Sequence, residues 1–122
     1  GVFQGGAIIP GWRLATQALA KQTDQLPEVG WTGLPVEVVG KSPEGAISSG
    51  VYWGTLGALR ELVSQISESL TEKPEKFFTG AGSIWSAWLV QEQFREQSDL
   101  VMTGVALSGA HLIRQERLQE NG

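Results

Sequence analysis

The sequence predicts an α/β, or layered α+β, domain, and three observations lead to it. Short apolar runs rich in β-branched or aromatic residues alternate with longer stretches of helical periodicity. Glycine and proline punctuate the joins. The 122 residues suffice for one domain, and a hydrophobic share of 41% against 18% charged supports a core rather than disorder. Composition also narrows function. A net charge of −4 excludes broad attraction to nucleic acid or anionic lipid. The absence of cysteine excludes a disulfide framework and thiolate chemistry. With His111 the single histidine, a metal site would have to be built almost wholly from carboxylates. No apolar run approaches the roughly 20 residues that span a bilayer, and no basic stretch leads into an apolar one at the start. The expectation is a soluble, cytoplasmic domain without nucleic-acid or membrane partners.

Element by element, Phe3–Ile9 is short, β-branched and bounded by glycine, which predicts a strand ended by Pro10-Gly11. Leu14, Ala15, Ala18 and Leu19 recur at helical spacing, with Leu26-Pro27 closing that helix. Residues 28–41 read as an extended connection carrying a short strand at Val36–Val39. Ser42-Pro43-Glu44 is a helix entrance: a capping serine, a proline preorganised for the first position and an acid at the positive end of the dipole. The helix behind it carries Ile47, Val51, Leu59, Leu62 and Ile66 and is predicted to run to about Leu70. A strand at Lys76–Thr79, a helix opening at Ser83, a strand at Asp99–Met102 and a last helix to about Gln119 complete the pattern. Beginning at Gly1 on what reads as the middle of a hairpin, the chain is expected to be part of a longer domain.

Three features invite a functional reading. Gly50, Gly54 and Gly57 share one face of the long helix, at roughly 1 kcal/mol each relative to alanine. Either a neighbouring element of the same chain approaches that face, or a second copy does. Tyr52 and Trp53 flank it as anchors for either arrangement. Thr79-Gly80-Ala81-Gly82-Ser83 joins a strand to a helix, where backbone N–H groups can cradle phosphate, although an ordinary tight turn explains it as well. Thr103-Gly104 has the same ambiguity. The two aspartates, Asp24 and Asp99, read as turn or helix-end residues, and His111 has no triad partner at a convincing spacing. Trp85 and Trp88 read as core. Nothing in these residues completes a catalytic site.

Taken in order, several segments resemble a known family. Gly5-Gly6-Ala7-Ile8-Ile9-Pro10-Gly11 resembles the GGxIxPG motif of type III pantothenate kinases, and Thr23-Asp24-Gln25-Leu26-Pro27 resembles their T-x-x-L-P. Gly40 through Gly54 is similar to the family's G-N-T-x-x-x-I-x-x-G-x-x-x-G segment. Thr79-Gly80-Ala81 falls where the family has T-G-G, and Asp99–Gly104 resembles its closing D-L-x-L-x-G-L.

The resemblance implies a ribonuclease H-like domain of the sugar kinase and actin superfamily, lacking its N-terminal strands. On this view residues 1–122 are a partial C-terminal kinase domain. It implies transfer of the ATP γ-phosphate to pantothenate in coenzyme A biosynthesis, with Mg-ATP and a monovalent cation (potassium or ammonium) as cofactors. It also implies a homodimer with the pantothenate site completed across the interface, and Gly50, Gly54 and Gly57 as the dimer face. Ser42 corresponds to the family's substrate-contacting threonine, and Thr79, Gly80 and Ala81 to its nucleotide-binding T-G-G. The family's D-x-G-N-T, G-x-D-R and D-x-G-T motifs, with the catalytic aspartate and the metal ligands, have no counterpart here. They are expected upstream of Gly1, and the 122 residues alone are expected to be inactive. A non-catalytic relative acting as a transcriptional accessory or other regulatory protein is the alternative.

Overall fold

A computed structural model describes residues 2–80 and 84–120. It divides into two compact units, one ending at Pro74 and one beginning at Glu75.

In the first unit, residues 2–11 form no regular element, and Phe3 and Ile8 are almost wholly exposed. The strand predicted for Phe3–Ile9 is therefore not formed. Among the described residues no second strand lies beside it to take up its backbone groups. Helix α1 spans Trp12–Gln22 and buries Trp12 and Thr16. Thr16 is the most buried side chain described, and its hydroxyl donates to the Trp12 carbonyl 3.1 Å away. The helix stops short of Leu26-Pro27. The Thr23 hydroxyl donates to the Leu19 carbonyl at 2.7 Å as the Thr23 backbone turns extended.

Residues 23–42 return without a strand, contrary to the one predicted at Val36–Val39. The Val36 and Val38 carbonyls, which a ladder would have used, accept side-chain bonds from the next helix instead. That helix, α2, runs Pro43–Ser69, within a residue or two of the prediction. Ile47, Val51, Tyr52 and Leu56 are buried, so the core contact falls in its first half, against α1. Val29 joins this core. Trp12, Trp31, Tyr52 and Trp53 form a chain of ring contacts, with centroids successively 5.0, 5.9 and 5.0 Å apart. Such pairs each contribute about 0.5–1.5 kcal/mol beyond area burial. Tyr52 and Trp53 thus anchor the unit's own core, not the glycine face.

In the second unit, strand β1 (Phe77–Phe78), helix α3 (Ser86–Gln91) and strand β2 (Arg95–Glu96) form a β-α-β crossover, followed by helix α4 (Leu100–Glu120). The strands pair in parallel, with Phe77 opposite Arg95 and Phe78 opposite Glu96. Parallel pairing requires a connection of this length, because the chain must return to the starting end of the sheet. Strand β2 was not anticipated. Its two residues are charged and exposed, without apolar alternation, and the ladder is made by backbone: Arg95 N–H to the Lys76 carbonyl and Gln97 N–H to the Phe78 carbonyl, both 2.9 Å. Trp88 is buried, 6.4 Å from the Phe94 ring, as the core reading of that tryptophan anticipated.

Helix α3 begins at Ser86. The predicted opening at Ser83 lies outside the described residues. The strand predicted at Asp99–Met102 is helix: α4 starts at Leu100, and the Thr103 N–H bonds the Asp99 carbonyl at 2.8 Å. One glycine at 104 costs about 1 kcal/mol and does not stop a helix that continues at helical period for twenty residues. Thr103-Gly104 is accordingly no strand-to-helix turn, and its phosphate-cradling reading is withdrawn. The chain is α/β with a small parallel sheet.

Candidate functional site

The most constructed feature of the first unit is the entrance to α2. Ser42 is the N-cap, in extended conformation, and its Oγ accepts the Gly45 N–H at 3.1 Å. Pro43 occupies the first turn, where a missing N–H costs nothing. The Ser42 carbonyl starts the helical ladder by accepting the Ala46 N–H at 2.8 Å. A hydroxyl has one proton and two lone pairs. The cap uses a lone pair, and no acceptor for the proton is found among the described residues. Ser42 is exposed, so a ligand can receive that proton.

Gly40 makes the entrance possible. A Cβ on it would lie 2.1 Å from the Ala46 nitrogen and 2.1 Å from the Gly45 carbonyl carbon. The segment leading to Ser42 therefore lies directly on the first turn of α2, backbone on backbone. Two α2 side chains hold the same segment farther up: Ser49 Oγ donates to the Val38 carbonyl, and Trp53 Nε1 to the Val36 carbonyl at 3.2 Å. The sequence reading placed Gly40 and Ser49 in the family-like segment without giving them this role, and gave Trp53 a different one. Ser49 and Trp53 stand one turn apart on the helix, but their partners lie eleven and seventeen residues away, which no local pattern indicates.

Two hollows flank the entrance. One, about 490 Å³, is apolar, lies between α1 and α2, and is lined by Leu19, Leu26, Pro43, Ala46, Ile47 and Gly50 among others. The other, about 270 Å³, carries Thr32, Glu37, Glu44 and Ser48 on its walls.

Gly50, Gly54 and Gly57 are exposed, and nothing lies within 4 Å of a Cβ added at any of them. Within the first unit, no described residue packs against this face. Gly50 also borders the apolar hollow. In the second unit, Thr79 and Gly80 follow β1 at its carboxyl end, beside the residues that follow β2. Gly80 has φ +110°, a conformation that favours glycine. Ala81 lies outside the described residues. Ser42 and the glycine face thus share α2, whereas Thr79-Gly80 stands in the other unit.

Asp24, Asp99 and His111 are each exposed. Among the described residues no three His, Asp or Glu side chains converge as a metal site would require. The ligands for magnesium and the monovalent cation are expected outside these residues, so this bears on neither ion. No helix of the described residues is long and apolar enough to cross a membrane.

Comparison with known proteins bears on the same segment. Residues 1–65 match the family model described as type III pantothenate kinase. A type III pantothenate kinase of Dehalococcoides mccartyi (strain ATCC BAA-2266 / KCTC 15142 / 195) is 35% identical over 115 residues, which cover 94% of this chain and 42% of that protein. One from Legionella pneumophila (strain Paris) is 36% identical over 107 residues, 87% of this chain and 41% of the relative. One from Gluconobacter oxydans (strain 621H) is 36% identical over 80 residues, 66% of this chain and 29% of the relative. The chain thus spans well under half the length of these curated relatives.

Proposed function

The chain belongs to the type III pantothenate kinase family, and from that premise we propose that it is the C-terminal part of an enzyme transferring the ATP γ-phosphate to pantothenate. The reading takes residues 1–122 as part of a ribonuclease H-like kinase domain, in a cytoplasmic homodimer. The observation that carries it is the α2 entrance. An exposed Ser42 hydroxyl is held by its own cap bond with the proton left to donate, at the position of the family's substrate-contacting threonine.

In this reading Ser42 donates to a polar oxygen of pantothenate and helps orient it. Thr79, Gly80 and Ala81 form part of the nucleotide pocket, where the carboxyl end of a parallel strand and a left-handed glycine suit close approach of a ligand. The exposed face of Gly50, Gly54 and Gly57 meets its counterpart on a second copy, which accounts for three glycines that no described residue of the first unit approaches. Phosphoryl transfer needs an orienting base and metal-holding acids together with phosphate donors. The family's three acidic motifs have no counterpart in these residues, so the 122-residue chain alone carries no kinase activity.

The test is pantothenate-dependent ADP release by the intact protein that contains this chain, compared with its Ser42→Ala variant. The expected result is turnover in the parent and a pantothenate KM raised about tenfold in the variant, the weight of one polar contact. An intact protein that releases no ADP in response to pantothenate would overturn the reading.

A further inference from the structure

The segment Val36–Lys41 has neither helix nor ladder to satisfy its backbone, yet it delivers Ser42 to α2. Two of its carbonyls take side-chain partners in place of a ladder, Val38 in a part-buried bond and Val36 in an exposed one. Three contacts at alternate residues supply its attachment. Val36 accepts from Trp53 Nε1, Val38 accepts from Ser49 Oγ, and Gly40 rests on the Gly45–Ala46 backbone. Ser49 and Trp53 are four apart on α2, so one stripe of that helix bonds two carbonyls of the segment, those of Val38 and Val36. Ser49 is only 9% exposed, and its hydroxyl donates to the Val38 carbonyl in a part-buried bond.

We infer that Ser49 and Trp53 are positioning residues that hold the Val36–Lys41 segment against α2 and so set where the Ser42 hydroxyl is presented to pantothenate. The inference rests on the proposed role of Ser42 and adds two residues that do not touch substrate themselves. Loss of either bond frees the segment at its far end while leaving the α2 core in place, since the buried Ile47, Val51 and Leu56 are untouched. The consequence is confined to substrate placement.

The experiment uses the intact protein with Ser49→Ala, Ser49→Thr and Trp53→Phe, and Ser64→Ala as control. The Ser64 hydroxyl donates to Glu68 Oε1 at 2.8 Å on the exposed side of the same helix. Two quantities are read: amide hydrogen exchange at Gly45 and Ala46, whose N–H groups bond Ser42, and the steady-state constants for pantothenate and ATP. In Ser49→Ala and Trp53→Phe, both amides exchange faster by about three- to tenfold, the scale of one lost hydrogen bond. Pantothenate KM rises by a similar factor, and ATP KM and kcat stay within about twofold. Ser49→Thr, which keeps the hydroxyl, restores both, and Ser64→Ala changes neither.

Unchanged exchange in both variants would overturn the inference. So would faster exchange with an unmoved pantothenate KM, or a fall in kcat and a rise in ATP KM alongside it. Should Ser49→Ala fail to fold, Trp53→Phe decides. If the intact parent does not phosphorylate pantothenate, the functional reading fails by that assay, and the exchange data alone uphold or overturn the grip on the segment.

Discussion

Gly40→Ala is the sharpest structural perturbation available in the first unit. The new Cβ would sit 2.1 Å from both the Ala46 nitrogen and the Gly45 carbonyl carbon, and 2.5 Å from the Ala46 Cα. All three are backbone atoms of the first turn of α2, so no side chain can swing aside. Either the segment lifts by more than an ångström or the first turn unwinds. Overpacking of this kind costs about 1–3 kcal/mol. Lifting the segment also pulls Ser42 from its cap on Gly45, which adds about 1 kcal/mol. The expected loss is therefore about 2–4 kcal/mol, a large share of the 5–15 kcal/mol by which domains are stable. Urea unfolding followed by far-ultraviolet circular dichroism reads it directly. At a slope of about 2 kcal/mol/M, the midpoint falls by about 1–2 M. A midpoint within about 0.2 M of the parent, at equal slope, would refute the close approach and the delivery of Ser42 built on it.

Gly50→Ala and Gly57→Ala act in the opposite direction on the isolated chain. With open space around each Cβ, helix propensity alone should raise stability by about 0.5–1 kcal/mol per site in urea titrations. In the intact protein the same changes should weaken self-association in sedimentation velocity, if the face meets a second copy. Ser42→Asp separates cap from contact: aspartate caps as well as serine but has no proton to give at neutral pH. Stability should stay within about 0.5 kcal/mol of the parent while pantothenate KM rises, as read by urea unfolding and steady-state kinetics. In the second unit, Glu75→Gln breaks the 2.8 Å pair with Arg95, but both side chains are more than half exposed. The measured cost should be below about 0.5 kcal/mol.

Legibility varied with how local the determining physics was. Helix α2 was readable to within a residue or two, because Ser42, Pro43 and Glu44 carry its start in side-chain chemistry and Leu70 ends its apolar period. The strand predicted at Lys76–Thr79 is formed as β1, whereas others were misread in both directions. Phe3–Ile9 has strand composition but no partner among the described residues, and Arg95–Glu96 has no strand composition but pairs through its backbone with Phe77–Phe78. Leu100–Met102 failed for another reason: three apolar residues fit either period, and only the unbroken continuation to Glu120 decides for helix. At the site, Ser42 was legible as a cap. The grip of Ser49 and Trp53 on Val38 and Val36 was not, since those bonds span eleven and seventeen residues and depend on how the loop returns.

On the proposed reading, in which Ser42 takes the place of the family's threonine, the entrance accommodates the exchange. Both hydroxyls cap, and serine ranks at least as high in that role. The group that must fit between Ser42 and the helix is the Gly45 backbone, and a Cβ on Gly45 would already lie 3.4 Å from the serine oxygen and 3.3 Å from the Gly40 Cα. The turn thus brings two glycines and the Ser42 hydroxyl into close contact. Serine supplies the oxygen without a γ-methyl to place, so the exchange leaves the cap and the donor proton intact. What it removes is a methyl contact and the χ1 stiffness of a β-branched residue. The burden of fixing the hydroxyl direction then shifts to the backbone that carries it. Gly40, Ser49 and Trp53 are the residues that hold that backbone.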